Sequence, residues 1–301
     1  MVKANQMDSP AIALSPVTGS HWSSNDGLED GLTELDKEFV GSIPEIYDTY
    51  LVPLIFESYA QDLAHRVGAL RPKSVLETAA GSGVVARAMV PVLPSRAQYV
   101  ITDLNQPMLD HAESQQDSDP RFSWRQADAL NLPFDGASFE VVVCQFGVMF
   151  YPDRITGYAE AYRVLKPGGK LIFSVWDRIE MNEFAHIVTV AAATVFPDDP
   201  PRFLPRTPHG YHDASLIMEE LHGVGFTEVK FESLDATSSA ASPRHPAIAY
   251  CQGTPLRNEI EERNVDLLNH VTNCAAEAIS ARYGAGPVAA KIRGHIITAV
   301  R

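Results

Sequence analysis

Cysteine is scarce in this chain, and its scattered pattern excludes two classes of protein. The 301 residues contain three cysteines, Cys144, Cys251 and Cys274, with no CxxC spacing and no clustered histidines beside them. An odd and dispersed set cannot form the disulfide framework of a small secreted domain or complete a structural zinc site. We therefore expect a cytoplasmic protein that holds no metal ion.

The chain also lacks an excess of positive charge and any long apolar run. It has 24 basic and 38 acidic residues, a formal net charge of −14, so its average field repels phosphate backbones and anionic lipid headgroups. No apolar stretch reaches the roughly 20 residues that cross a bilayer, and Asp8, Ser9 and Pro10 stand where a signal peptide would be apolar. We expect no nucleic-acid partner, no membrane insertion and a small-molecule partner, and we leave a homodimer open.

Composition and periodicity divide the chain into three parts. Residues 1–35 mix Ser, Asp, Asn, Gly and Pro without a sustained period, which predicts a mobile N-terminal arm. Residues 36–70 carry apolar side chains at helical spacing, and Pro44 and Pro53 are expected to break them into short lid helices. Residues 71–301 are expected to form one α/β domain with a cap insertion over 177–212.

Short apolar runs alternate with helical segments from residue 74 onward, which is typical of βαβ units and a parallel sheet. Asp153 and Asp213 are the expected N-caps of two of the helices. The predicted strands cover residues 74–77, 99–102, 122–126, 141–145 and 170–175, then an alternating strand around 229–233 and a further strand over 247–252. The predicted helices cover residues 84–90, 107–114, 154–165, 181–196, 214–222 and 255–283.

The most informative segment is the glycine-containing turn over residues 75–83. A buried strand ends there in Glu77, and a turn with Gly81 and Gly83 opens a helix. Glycines allow close approach of the backbone to a ligand, and the helix N-terminus offers free N–H groups. The spacing of these glycines, with Asp103 about 20 residues further on, also satisfies the dinucleotide-binding fingerprint. The segment alone therefore indicates only a nucleotide site.

Three further features separate the candidate ligands. Glu77 would crowd a pyrophosphate with like charge but would favour the cationic amino group of a methionine moiety. Asp128, after the third strand, places a carboxylate where it accepts a hydrogen bond from an adenine amino group. The segment Arg163-Val-Leu-Lys-Pro-Gly-Gly-Lys170 joins a helix to the fifth strand.

Together these motifs resemble the S-adenosylmethionine-dependent methyltransferases of the small-molecule type, and are similar to the ubiquinone and menaquinone methylating enzymes. The resemblance covers roughly residues 43–252, with the motifs in the family order. It implies a Rossmann-like, doubly wound α/β fold with a mostly parallel seven-stranded sheet, an N-terminal helical lid and a cap insertion after strand five. It also implies S-adenosylmethionine as cofactor, and methyl transfer to an O, N, S or C atom of a small-molecule acceptor.

The resemblance assigns roles residue by residue. In that family the first strand ends in an acidic residue followed by Gly-x-Gly-x-Gly, so Glu77 matches and Ala79 replaces the first glycine. Asp103 matches the residue that binds both ribose hydroxyls, and Asp128 belongs to the pair at the adenine edge. The implied cofactor-binding set is Tyr47, Glu77, Ala79, Gly81, Gly83, Asp103, Leu104, Met108, Asp128, Ala129 and Gln145.

The sequence also differs from the motifs of two other groups of methyltransferases. Cys144-Gln145-Phe146-Gly147 stands where enzymes that methylate base or glutamine nitrogens have Asn-Pro-Pro-aromatic. This argues against DNA and protein-amide acceptors. The paired acidic residues of the metal-dependent catechol type are also missing, so we expect no magnesium.

The predicted insertion over residues 177–212 ends in a cluster of polar side chains. A connection of this length is usually functional, and loops over a rigid sheet commonly supply substrate contacts. We assign His209, Tyr211 and His212 as catalytic candidates, with a histidine as general base where the acceptor needs one. Surface histidines without a role in catalysis are the alternative for each residue singly.

Two other functions stay open from the sequence. A nicotinamide-dependent oxidoreductase would use the same glycine spacing, although no Tyr-x-x-x-Lys catalytic pair stands in the expected place. A non-catalytic protein that binds S-adenosylmethionine as a ligand would keep the same cofactor motifs.

Overall fold

A seven-stranded sheet runs through residues 43–301, the part of the chain that this computed structural model describes. The strand order is β3-β2-β1-β4-β5-β7-β6, in which β7 is antiparallel to both of its neighbours, β5 and β6. The pairs among β1 to β5 are all parallel. The predicted Rossmann-like, mostly parallel sheet is confirmed. The predicted arm over residues 1–35 lies outside the described residues.

The first five strands cover their predicted positions, and β1, β4 and β5 are mostly buried, whereas β3 at the edge of the sheet has no buried residue. All four residues of β1 are buried, as expected for a central strand of a parallel sheet covered by helices on both faces. The strands are β1 (Ser74–Glu77), β2 (Gln98–Asp103), β3 (Phe122–Gln126), β4 (Phe139–Gln145), β5 (Leu165–Trp176), β6 (Thr227–Ala240) and β7 (Val288–Val300).

The helices fall between the strands and in two longer connections. The carboxylates of Asp153 and Asp213 accept hydrogen bonds from the backbone N–H groups of Thr156 and Ser215, which confirms both predicted N-caps. The α-helices are α1 (Ile43–Ile46), α2 (Glu57–Leu70), α3 (Val84–Met89), α4 (Gln106–Ser114), α5 (Arg154–Val164), α6 (Glu183–Val195), α7 (Phe203–Arg206), α8 (Ala214–Val224), α9 (Arg244–Gln252), α10 (Leu256–Asn264) and α11 (Leu268–Tyr283).

Pro53 does not break the N-terminal helical run as predicted. It lies inside a π-helical segment, Tyr47–Phe56, which joins α1 to α2 without an interruption. A proline has no N–H and its ring collides with the carbonyl one α-turn earlier. The wider π turn, with hydrogen bonds five residues apart, is one way for a helix to continue past such a point.

The strand predicted over residues 247–252 is wrong, because those residues belong to α9. A short apolar run has no period that separates a strand from a buried helix, and five residues of α9 are buried. The strand that completes the sheet is β7, which follows the predicted helices and was missed. It lies between β5 and β6, so the end of the chain supplies an interior strand of the sheet.

A helical cap is formed by two separate connections. The predicted insertion over 177–212 contains α6 and α7, and the connection from β6 to β7 contains α9, α10 and α11. Helix α11 packs against both α6 and α9. We use the name helical cap for these five helices. Among residues 43–301, no helix combines the length and the apolar character that crossing a membrane requires.

One buried carboxylate joins the two parts of the helical cap. Glu259 of α10 accepts hydrogen bonds from the backbone N–H groups of Arg202 (2.7 Å) and Phe203 (3.1 Å), at the start of α7. Its other oxygen lies 3.0 Å from the Arg206 guanidinium, and both side chains are largely buried. The carboxylate therefore accepts hydrogen bonds from N–H groups at the start of α7, which have no acceptor within the helix itself.

We predict that Glu259→Ala lowers the free energy of unfolding by on the order of 3 kcal/mol, because it removes a largely buried partner of the Arg206 guanidinium and the acceptor of the Arg202 and Phe203 N–H groups. The matched control is Glu261→Ala on the same helix, which removes an i,i+4 pair with Arg257 that is partly open to solvent. That loss should not exceed about 0.5 kcal/mol. Urea denaturation measures both. Equal losses would show that Glu259 does not hold the cap together.

Candidate active site

A cavity of about 290 Å³ opens where the first four strands end. In an open parallel sheet this carboxyl edge is the place where ligands bind, because the loops leaving the strands surround a crevice there. Ten of the eleven residues predicted to bind a cofactor line the cavity. They are Tyr47, Glu77, Ala79, Gly81, Asp103, Leu104, Met108, Asp128, Ala129 and Gln145.

Gly83, the eleventh residue, has a packing role in the structure. Its φ of +77° places it in the left-handed region at the start of α3. A Cβ at this position would lie 2.9 Å from the Cβ of Ala112 on α4, so a larger residue would push the two helices apart. Glycine here allows α3 and α4 to approach each other behind the cavity.

The turn after β1 keeps its left-handed backbone although Ala79 replaces the family's glycine. Ala79 has a φ of +53°, a conformation that costs a residue with a Cβ about 1–2 kcal/mol. Its methyl group lies against Gly147, where an added Cβ would come within 2.5 Å of it. Gly147 therefore provides the space that the Ala79 side chain occupies.

Glu77 lies at the base of the cavity and is 1% exposed. Burial raises the pKa of its carboxyl group to about 8, although the hydroxyl of Tyr99 donates a hydrogen bond to it and acts in the opposite direction. A carboxyl group with this pKa is mostly protonated at neutral pH. A cationic group placed beside it would favour the charged form.

Asp103 is held in one orientation by the backbone around it. Its Oδ2 accepts a hydrogen bond from Gly81 N–H and its Oδ1 accepts one from Asn105 N–H, both at 2.8 Å. Burial raises its pKa, and these hydrogen bonds act in the opposite direction. Each carboxylate oxygen has a second lone pair, so the group can also accept hydrogen bonds from ribose hydroxyls.

The side of the cavity assigned to adenine presents one exposed apolar surface. Leu104 is 57% exposed, whereas Met108 below it is buried. An apolar side chain this open in a cavity is what a flat base would cover. Asp128 is exposed beside it, and its carboxylate accepts a hydrogen bond from Leu130 N–H at 2.9 Å. These residues and Asp103 fit an adenosyl group.

The end of β4 forms the opposite side of the cavity. The Oε1 atom of Gln145 is buried and receives no hydrogen bond from the described residues, and its Nε2 donates at 3.4 Å to the carbonyl oxygen of Phe56. Phe146 has a φ of +51°, which is unusual for a bulky residue. Its ring stacks on Trp176 with ring centres 3.8 Å apart. Gln145 therefore offers a buried hydrogen-bond acceptor beside the stacked rings of Phe146 and Trp176.

Three aromatic residues and a proline line the cavity without having been singled out from the sequence. Phe56 comes from the π-helical segment, and its ring centre lies 5.3 Å from that of Tyr47. Phe150, Tyr151 and Pro152 follow β4 and line the same side. Phe150, Tyr151 and Pro152 could have been predicted, because loops at the carboxyl edge of a parallel sheet surround the site. Nothing in the sequence places Phe56 at the cavity.

The three predicted catalytic residues do not line this cavity. The ring of His209 is buried with Nδ1 2.8 Å from the carbonyl oxygen of Asp177, and burial lowers its pKa to about 4, so it is neutral. Tyr211 is hydrogen-bonded to Tyr158 and Glu220. Nδ1 of His212 lies 3.0 Å from the carbonyl oxygen of His209.

The connection that carries these three residues lies away from the cavity. The connection over residues 177–212 turns into the helical cap, and none of its residues lines the cavity. Asn182 anchors it, since its Nδ2 donates to the carbonyl oxygens of Asp177 and Arg293 at 3.2 Å each. The position of His209, Tyr211 and His212 gives no support to their assignment as acceptor contacts.

Comparison with known proteins finds similar sequences for the part of the chain that forms the cavity. A family model described as a methyltransferase domain matches residues 75–169, which include every lining residue except Tyr47 and Phe56. The chain is 27% identical over 172 residues to a ubiquinone/menaquinone biosynthesis C-methyltransferase of Dinoroseobacter shibae, covering 53% of this chain and 68% of that protein. These findings favour methyl transfer over the nicotinamide-dependent alternative.

Two further relatives are a demethylmenaquinone methyltransferase of Deinococcus radiodurans and a mitochondrial 2-methoxy-6-polyprenyl-1,4-benzoquinol methylase of Caenorhabditis elegans. They are 36% and 28% identical, over 38% and 53% of this chain. The chain spans 45% and 60% of their own lengths. The solved structure of the YcgJ protein of Bacillus subtilis has a TM-score of 0.53 at 17% identity, covering 81% of this chain and 98% of that one. It shows the fold alone.

We predict that Asp103→Ala weakens the affinity for S-adenosylhomocysteine by about 1.5–3 kcal/mol, the range for hydrogen bonds to a charged group, and leaves the protein folded. Calorimetry measures the affinity, and Asp110→Ala on the exposed side of α4 is the control. Unchanged affinity in a folded Asp103→Ala variant would remove this residue from the site.

A second prediction follows from the raised pKa of Glu77. In the free protein near pH 7 this carboxyl group is mostly protonated, and a bound ammonium group favours its ionised form. Binding of S-adenosylhomocysteine should therefore release close to one proton more from the wild type than from Glu77→Gln. Affinity of the wild type relative to the variant should rise as the pH increases towards 8 and level off above it.

Calorimetry in buffers of different ionisation enthalpy counts these protons. The amino group of the ligand titrates in the same range, so the difference between the two proteins is the informative quantity. An identical proton count would mean that Glu77 does not face the amino group.

Proposed function

We propose that this S-adenosylmethionine-dependent methyltransferase, which is similar to the ubiquinone and menaquinone methyltransferases, methylates a ring carbon of a small hydroxylated aromatic compound of the hydroquinone class. S-adenosylmethionine is the methyl donor of the domain over residues 75–169, and the acceptor is a small molecule. The ring-carbon specificity is the new part of the assignment.

The unpaired acceptor atom of Gln145 is the observation that carries this proposal. Leaving a buried amide oxygen without a donor costs about 1–3 kcal/mol, so a ligand that supplies a donor gains that amount on binding. A ring hydroxyl is such a donor. The aromatic side chains of Phe56, Phe146 and Phe150 line the same cavity and offer faces and edges to a flat ring.

The charge of the lining residues also favours an acceptor with a nucleophilic carbon. Within residues 43–301, no histidine, lysine or arginine lines the cavity. Its ionisable side chains are the acids Glu77, Asp103 and Asp128 and the phenols Tyr47 and Tyr151, and burial raises the pKa of both phenols. A protonated amine or an aliphatic alcohol needs a base to remove its proton before transfer. An electron-rich ring carbon does not.

S-adenosylmethionine, held by Glu77, Asp103 and Asp128, would supply an activated methyl group to the ring carbon and keep the electron pair of its sulfur–methyl bond, and the ring would lose one proton. The protein positions the acceptor ring and excludes water from the reacting atoms. Gln145 accepts the hydrogen bond of the ring hydroxyl and so increases electron density on the ring. Phe146, fixed by its stack on Trp176, excludes water and limits the ring to one plane.

The names of the relatives support the same assignment. One is described as a C-methyltransferase of ubiquinone and menaquinone biosynthesis, and another as a benzoquinol methylase. The cytoplasmic location expected from the sequence stays a prediction, and the homodimer stays open.

The direct test is turnover with methyl-¹³C-labelled S-adenosylmethionine and a set of matched acceptors. The set contains a methyl-free hydroquinone, the corresponding oxidised quinone, a catechol and an aromatic amine. We expect the hydroquinone to gain a carbon-bound methyl group, identified by NMR, and the oxidised quinone to be inert because it is electron-poor. A methyl group on oxygen or nitrogen, or turnover of the amine alone, would contradict the proposal.

We predict that Gln145→Met lowers kcat/KM for the hydroquinone by about 10–100-fold, since methionine keeps the length of the side chain but loses the strong acceptor. The affinity for S-adenosylhomocysteine should stay within about twofold. Gln98→Met, at an exposed position at the start of β2, is the control. Loss of cofactor affinity with unchanged acceptor kinetics would assign Gln145 to the cofactor, as the sequence comparison implied.

A further inference from the structure

The π-helical segment Tyr47–Phe56 forms one wall of the cavity and is separate in sequence from the rest. Tyr47 and Phe56 are its lining residues, whereas the others all lie between residues 77 and 152. The position of this wall relative to the turn after β1 therefore decides the width of the cavity. Contacts that fix this distance influence cofactor binding without touching the cofactor.

The wall is attached to the core through Asp48, the residue after Tyr47. One oxygen of the Asp48 carboxylate lies 3.5 Å from Nη2 of Arg87 on α3, and the other lies 3.2 Å from Nε2 of His111 on α4. The three side chains are 19%, 30% and 29% exposed, so solvent screens this cluster only in part.

Arg87 makes a second contact with the turn after β1. Its Nη1 donates a hydrogen bond of 2.7 Å to the carbonyl oxygen of Ser82, and Ser82 is buried and lines the cavity. The guanidinium group is planar and presents its N–H donors in a fixed fork, so it can hold two acceptors at a defined separation. Arg87 therefore contacts the turn after β1 through Ser82 and the π-helical wall through Asp48.

We propose that Arg87 is a positioning residue of the cofactor site, which holds the turn at Ser82 and the wall at Asp48 at the distance that binding requires. The oxygen of Asp48 that faces Arg87 is buried and receives no hydrogen bond from the described residues. The attachment is therefore a charge contact at 3.5 Å, which keeps the wall close and still permits it to move. The proposal depends on cofactor binding in this cavity and is independent of the acceptor.

The π-helical wall has a second attachment, to helix α9 of the helical cap, which does not involve Arg87. The ring of His245 on α9 lies 4.9 Å from the ring of Tyr50, and its Nε2 is 3.3 Å from the carbonyl oxygen of Tyr50. Loss of Arg87 should leave this contact in place. The wall would then stay attached to the cap but lose its spacing from the turn.

The test uses the full-length protein and the dissociation rate of S-adenosylhomocysteine measured by stopped flow. Arg87→Gln should accelerate dissociation on the order of tenfold, as expected for loss of a charge-assisted hydrogen bond. Asp48→Asn should accelerate it about threefold, and Arg87→Lys should fall between the wild type and Arg87→Gln because it keeps the charge but not the fork. Amide exchange in residues 47–56 of the ligand-free protein should rise in Arg87→Gln.

The double variant identifies a shared contact. Asp48→Asn combined with Arg87→Gln should release the ligand no faster than Arg87→Gln alone, because both remove the charge contact between Asp48 and Arg87, and asparagine can still form a hydrogen bond with His111. Arg66→Gln on α2, which loses its pairs with Asp62 and Glu232, is the control and should leave the rate unchanged. If Arg87→Gln does not fold, Arg87→Lys and Asp48→Asn decide the question.

Unchanged dissociation rates, or additive effects in the double variant, would overturn the proposal. So would a lower thermal stability with unaltered ligand affinity, since that pattern indicates a structural ion pair. Binding of S-adenosylhomocysteine by the wild type is measured in the same series. A failure of the cofactor assignment would therefore be visible separately from a failure of the role of Arg87.

Discussion

At the carboxyl end of β1 the backbone must leave a fully buried strand and enter α3 through the turn over residues 78–83. The turn requires a left-handed backbone at position 79, where the side chain is a methyl group instead of hydrogen. Neighbouring strands stabilise it: Thr78 N–H donates to Val143, and Ala80 N–H donates to Thr102, both at 3.0 Å. The Asp103 carboxylate holds Gly81 in the same way. Because β2 and β4 fix this turn from both sides, the cavity exists before any ligand arrives.

The two halves of the site arise from different kinds of sequence information. The half assigned to the cofactor is made by residues at or just after strand ends, as with Glu77, Asp103 and Asp128. The half assigned to the acceptor brings together side chains that are distant in sequence, such as Phe56 and Phe150. Phe146 lies between the halves, held by Trp176, which ends β5.

This difference explains which features the sequence predicted. Strands β1 to β5 and the cofactor residues follow local rules, namely short apolar runs between helical segments and the position of residues at strand ends. The identities of β7 and α9 could not be decided locally, because α9 is a short segment without a clear period and β7 interrupts its apolar residues with Lys291, Arg293 and His295. The position of His209 and His212 away from the cavity could not be read locally either. A polar cluster at the end of a long connection indicates function only if the connection crosses the site, and Asn182 holds this one elsewhere.

The most direct measurement is a crystal structure of the protein with S-adenosylhomocysteine and a hydroquinone. The account predicts the ribose hydroxyls on the Asp103 carboxylate, the ligand's amino group beside Glu77, and the ring hydroxyl within hydrogen-bond distance of Gln145 Oε1. A cofactor bound outside this cavity would contradict the whole assignment. A cofactor amino group on Gln145, with the hydroquinone elsewhere, would contradict the division of the cavity into a cofactor side and an acceptor side.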